Sequence, residues 1–125
     1  MILIVDDEPG VSAAFSRVLT ASHIPHHAVG SLADARQVLS QGGWTGFILD
    51  IFLPDGTGVE YLAEIRARAE HQHTPVAVIT ADILLDDQMV EQLRHLGARL
   101  YCGAFGRADI ERICVALLMG RQTPP

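Results

Sequence analysis

The sequence predicts one α/β domain built around a parallel sheet, and three observations carry that expectation. Ile2–Val5, Gly46–Leu49 and Val76–Ile79 are short apolar runs rich in β-branched residues, with no polar alternation. Runs of this length and kind are strands buried on both faces, as parallel sheets require. The stretches between them carry apolar residues at helical spacing and are long enough for crossover helices. Each run also stops on oxygen-bearing side chains: Asp6-Asp7-Glu8, Asp50 and Thr80. Ligands in such sheets bind beyond the carboxyl ends of the strands. Residues far apart in sequence are therefore expected to meet in one acidic pocket.

The elements follow in order. After the first strand, Pro9 suits the first position of a helix, and Val11, Ala14, Phe15, Val18 and Leu19 recur at helical spacing behind it. A short second strand is expected within His23–Gly30, then a helix over Leu32–Ser40 with Ser31 as its N-cap. Gln41-Gly42-Gly43 stops that helix before the third strand. Gly56-Thr57-Gly58 turns the chain into a third helix over Gly58–Ala69, and His71–Pro75 loops into the fourth strand. A fourth helix is expected over Ile83–Leu96, stopped by Gly97. A short fifth strand follows at Arg99–Cys102, then a last helix over Asp109–Met119. Five alternating β/α units with right-handed crossovers cover both faces of the sheet.

Composition narrows the function. A chain of 125 residues, 49% hydrophobic, is one domain with a proper core. Its net charge of −6 argues against a general nucleic-acid binder, which needs a basic face. No apolar run is long enough to span a membrane and no signal peptide precedes the first strand, so a cytoplasmic setting is expected. Cys102 and Cys114 have neither metal-site spacing nor a secretory context, and are expected as buried, reduced thiols. His26-His27 and His71-Gln72-His73 lack an i, i+4 spacing or cysteine partners and read as surface histidines. Gly56-Thr57-Gly58 lacks the lysine and spacing of a phosphate-binding loop.

Ile2–Pro9 (ILIVDDEP), Asp50–Gly58 (DIFLPDGTG), Thr80-Ala81 and Gly97-Ala98, in this order and spacing, resemble the receiver domain of two-component response regulators. The resemblance covers essentially the whole chain. It implies a flavodoxin-like (βα)5 fold with a five-stranded parallel sheet in order 2-1-3-4-5. The receiver domain would occupy residues 1–119, with 120–125 a short polar tail. The implied roles are Asp50 as phosphoacceptor, and Asp6, Asp7, Asp50 and the main-chain carbonyl of Phe52 as Mg²⁺ ligands. Thr80 would be the switch hydroxyl and Tyr101 the switch aromatic. Implied partners are a sensor histidine kinase or histidine phosphotransfer protein and a downstream protein effector, with homodimerisation left open. Helices four and five expose too little apolar sequence to decide a dimer. Neither nucleic acid nor membrane is implied, and the domain would signal rather than act as an enzyme.

The chemistry of these residues agrees with the resemblance. A carboxylate can attack phosphorus to form an aspartyl phosphate, and Mg²⁺ commonly takes one or two carboxylates together with phosphate oxygens. Without a cation, an anionic donor would have to approach three carboxylates. An Asp6-Asp7-Glu8 turn alone also suits a solvated helix start; joined to Asp50 and Thr80 it reads as a site. A phosphatase with an aspartate nucleophile needs a second acid two residues on, and that place is Phe52.

One departure stands out. Seven residues after Gly97, where the family keeps a lysine, the chain has Ala104, and Phe105 replaces the proline that usually follows. The chain contains no lysine at all. Losing one charge-assisted hydrogen bond costs about 1.5–3 kcal/mol, or roughly one to two factors of ten. Arg99 and Arg107 are the nearby cations that could fill the gap. Hence an alternative reading: an interaction module of the same fold that works without phosphorylation, its switch impaired at Ala104.

Overall fold

The computed structural model describes residues 1–82 and 85–120. The elements are β1 (Ile2–Val5), α1 (Pro9–Ala21), β2 (His26–Val29), α2 (Leu32–Leu39), β3 (Gly46–Asp50), β4 (Phe52–Leu53) and β5 (Gly56–Thr57). They continue with α3 (Gly58–Arg66), a 3-10 turn (Ala69–His71), β6 (Val76–Thr80), α4 (Asp87–His95), β7 (Arg99–Cys102) and α5 (Arg107–Met119). Five strands pair in parallel in the order β2-β1-β3-β6-β7. Counted over this sheet, that is the expected 2-1-3-4-5 order. The two-residue strands β4 and β5 form a separate antiparallel ribbon.

Alternation along the strands sorts the core into two halves. Ile2, Ile4, Ile48, Ala77 and Ile79 face α1 and α5, meeting Phe15, Leu19, Ile110, Ile113 and Leu117. Leu3, Val5, Phe47, Leu49 and Val78 face the other way, onto Leu32 and Leu39 of α2, Tyr61, Leu62 and Ile65 of α3, and Leu93 of α4. Strands buried on both faces leave no polar alternation to read, and this is why the sequence shows them as continuous apolar runs.

Local signals start the helices where caps exist. Glu8 accepts from the Gly10 amide ahead of α1, Ser31 from Asp34 ahead of α2, and Thr57 from Glu60 ahead of α3. Gly42 and Gly43, at φ +76° and +81°, end the α2 region in a conformation that glycine adopts without strain.

Several expectations are corrected. The third helix stops at Arg66 instead of Ala69, because the chain turns into the 3-10 segment while the Arg66 side chain reaches back to the carbonyls of His71 and Thr74. The fourth helix starts at Asp87, since the Asp86 carboxylate caps it by accepting from the Gln88 amide; Ile83 and Leu84 lie outside the described residues. The last helix begins two residues earlier than expected, at Arg107, where the Gly106 amide donates to Asp109. His71 is buried, not superficial: its Nδ1 lies 2.9 Å from the Thr74 hydroxyl, and its ring stands edge-on to Phe47 at 5.2 Å. Cys114 is buried, but Cys102 ends the edge strand β7 and is exposed; both are free thiols. Helices α4 and α5 expose more apolar surface than the pattern suggested, at Val90, Val115, Leu118 and Met119. Of the expected tail, residues 121–125 lie outside the described residues.

Candidate functional site

The carboxyl ends of β1, β3 and β6 lie side by side, because Val5 is in register with Leu49 and Asp50 with Ile79. The residues that end these strands therefore converge. Asp6, Asp7 and Asp50 offer carboxylate oxygens that all lie within 4.8 Å of one another. Asp6 is buried, Asp50 half-buried and Asp7 exposed. The Asp6 carboxylate accepts from the Glu8 amide at 2.8 Å, and the Asp50 carboxylate from the Phe52 amide at 3.4 Å. Each acid is thus held by a turn of its own chain.

The electrostatics follow from the crowding. Burial pushes the Asp6 carboxyl up to about 7; the Glu8 amide opposes this, and the charges of Asp50 and Asp7 add to it. Asp50 is raised as well, chiefly by desolvation and then by Asp7, against the pull of the Phe52 amide. Three carboxylates this close make a site that a hard cation would relieve. These carboxylate oxygens form a donor set suited to a hard divalent cation.

Around the carboxylates opens a cleft of about 710 Å³, lined by Asp6, Asp7, Asp50, Thr80, Ala104 and Phe105 among others, none of them basic. Thr80 is buried, and its Oγ1 accepts from the Asp82 amide at 3.1 Å, which leaves its proton available to an incoming oxygen. Ala104 does face this cleft, following Gly103, whose amide donates to the Thr80 carbonyl at 2.9 Å and whose φ is +112°. Neither Arg99 nor Arg107 lines the cleft. Arg99 sits at the other end of β7, in register with Ala77, and Arg107 is turned to Glu111. Tyr101 is not in the acidic cleft. It lies beside Ile79 in register, half-buried in a groove between β7 and α5 with Phe105 and Ile113.

Two residues that shape the site escaped the sequence reading. A Cβ on Gly58 would collide with the Asp50 carbonyl oxygen, so α3 starts against the Asp50 backbone only because residue 58 is glycine. Asp55, in the turn between β4 and β5, accepts from the Leu32 and Ala33 amides at 2.8 and 3.0 Å and so caps α2 from 22 and 23 residues away. The Pro-Asp-Gly turn around Asp55 is legible in sequence; its long-range partner is not.

Comparison with known proteins agrees with this geometry. The family model of the response regulator receiver domain matches residues 2–102. The swarming motility regulation protein RssB of Serratia marcescens is 38% identical over 80 residues, 64% of this chain and 36% of RssB. The response regulator protein PilR of Pseudomonas aeruginosa is 34% identical over 84 residues, 67% of this chain but 18% of PilR. The chain therefore matches about a third or less of the length of these relatives. Among solved structures, the chemotaxis protein CheY4 of Vibrio cholerae superposes with a TM-score of 0.81 at 17% identity, covering 93% of this chain and 96% of CheY4. The beryllofluoride-activated NtrC4 receiver domain, described as a dimer, gives 0.80 at 21% identity, covering 97% of this chain and 95% of its own. With this sheet order, this clustering of acids at the strand ends and a family match over most of its length, the chain belongs to the receiver domains of two-component response regulators.

Proposed function

We propose that the chain accepts a phosphoryl group on Asp50 from the phosphohistidine of a sensor histidine kinase or histidine phosphotransfer protein in the cytoplasm. Asp6, Asp7, Asp50 and the Phe52 carbonyl would hold Mg²⁺, which would offset the charge of the carboxylates and of the phosphoryl oxygens when bound. The observation that carries this reading is the approach of three carboxylates within 4.8 Å at adjacent strand ends, with Thr80 lining the same cleft.

Each residue has a defined part. An Asp50 oxygen attacks phosphorus as the P–N bond of the donor breaks, and the departing imidazole nitrogen keeps that electron pair. The Phe52 amide orients the Asp50 carboxylate. The Thr80 hydroxyl donates to a phosphoryl oxygen while its own oxygen stays with the Asp82 amide. The neighbouring Tyr101 then repacks in its groove, which changes the surface made by α4, β7 and α5 and its fit to a downstream protein or a second copy of the chain.

Incubation with a small phosphoryl donor, read by intact mass, tests this. A gain of one phosphoryl group is expected with Mg²⁺ and not without it, and the gain disappears in Asp50→Ala. Ala104 is the one feature that favours a phosphorylation-independent module instead. An unlabelled chain beside a control receiver that labels under the same conditions would support that second reading.

A further inference from the structure

Arg66 ends α3 with a half-buried guanidinium that among the described residues is bonded to main-chain carbonyls and to no carboxylate. Its Nε donates to Leu96 O at 2.7 Å and its Nη2 to Gly97 O at 3.4 Å. Its Nη1 donates to His71 O at 2.8 Å and Thr74 O at 2.7 Å. Two of these carbonyls close the C-terminal end of α4; the other two belong to the segment that leads into β6. A planar guanidinium presents its donors in a fixed fork, so it locks the relative position of what it joins, and a cation also suits the negative end of a helix.

The rest of α4 is held less firmly. Leu93, in its second half, is the one residue of the helix that is fully buried; Leu85 before it and Met89 in its first half are only partly covered. Behind Leu93 the chain is fastened further: the Ala98 amide donates to Leu93 O, and Gly97 turns the chain at φ +71°. The first turn of α4 begins at Asp87, seven residues after Thr80 of the acidic cleft in sequence. The helix thus starts a short stretch of sequence after the site, and its other end is clamped to α3 and the lead-in of β6.

We propose that Arg66 is the fulcrum of α4: events at Thr80 tilt the helix about a C-terminal end that Arg66 holds in place. The clamp stands on geometry alone, whereas the tilt rests on the reading that Asp50 takes a phosphoryl group. Arg66 is in this sense a positioning residue, remote from the reacting atoms.

Amide hydrogen exchange on the full chain tests both parts. In the unphosphorylated wild type, the Leu96, Gly97 and Ala98 amides are expected to exchange more slowly than Val90. In Arg66→Met their protection falls about tenfold or more, the scale of one charge-assisted hydrogen bond. Arg66→Lys restores part of it, and β1 and β3 are unchanged. Equal exchange at both ends of α4 in the wild type overturns the clamp, even if Arg66→Met does not fold. So does a loss of protection in Arg66→Met that is equal in β1 and β3. With Mg²⁺ and a small phosphoryl donor, wild-type changes should be confined to the first half of α4 and extend through its last turn in Arg66→Met. If the mass shows Asp50 phosphorylated and the last turn shifts as much as the first in the wild type, the fulcrum is wrong. If the mass shows no phosphoryl group, the functional reading fails and the tilt with it, while the clamp is still judged by the unlabelled protein.

Discussion

Asp6 concentrates the electrostatic cost of the site in one side chain. Its carboxyl sits at about 7 in the folded protein against an ordinary value near 4. Because the folded value is raised, the stability this group contributes is complete below about pH 4 and is lost as pH rises through about 7. Asp6→Asn should therefore make the metal-free protein more stable at pH 8, raising its Tm by about 4 °C or more, the shift of roughly 1 kcal/mol in a domain of this size. The gain should vanish near pH 4, and the rise in Tm that Mg²⁺ is expected to give the wild type should be lost. A scan of Tm against pH with and without Mg²⁺ checks all three. Ala104 makes the opposite case, a missing charge. Ala104→Lys is expected to raise the rate of labelling by a small donor roughly ten- to a hundredfold, since it restores one charge-assisted hydrogen bond; an unchanged rate would mean the cleft does not hold the phosphoryl group beside residue 104. At Gly58 the constraint is space. Gly58→Ala places a methyl against the Asp50 carbonyl and should cost about 1–3 kcal/mol as an overpacked site, with slower labelling because the Asp50 backbone must move.

At the scale of elements, the site is tied to its surroundings by two side chains that act at a distance. Asp55 lies three residues after Phe52 and caps α2, so the turn that follows Asp50 is fastened to the start of a helix on one face of the sheet. The two amides hold its carboxyl below the usual range. That contribution to stability is present above the ordinary carboxylate value and fades as pH falls through the depressed one. Asp55→Ala should lower Tm by a few degrees at pH 7 and by less at pH 3, a dependence opposite in sign to that of Asp6. Arg66 plays the corresponding part for α4. Both were hidden from a reading of sequence for one reason: a local pattern shows that Asp55 sits in a turn and that Arg66 closes a helix, but the carbonyls and amides they bind come from segments 5 to 31 residues away. The same applies to His71, whose burial depends on Phe47, and to Cys102, whose exposure depends on β7 being an edge. What could be read were features that repeat or stop within a few residues. The apolar runs, the acids that end them, the cap at Ser31 and the turn at Gly56-Thr57-Gly58 are all of this kind. Asp86 was legible as a cap by the same rule, and was masked by the apolar residues before it.

For the molecule as a whole, the two halves of the core fix the strand ends that bring Asp6, Asp7, Asp50 and Thr80 together, and the net charge of −6 makes their pocket a place for cations. The surface away from the pocket carries apolar side chains at Val115, Leu118 and Met119 on α5. The chain corresponds to 36% of the length of RssB and 18% of that of PilR. The proposed phosphoryl group would be carried as an acyl phosphate on Asp50. After labelling with Mg²⁺ and a small donor, borohydride reduction converts an aspartyl phosphate to the corresponding alcohol, and peptide mapping then locates it. The reduced residue is expected at position 50 and nowhere else, in Mg²⁺-treated protein only. A phosphoryl group found on a histidine or another acid, or a position 50 left unreduced in labelled protein, would contradict it.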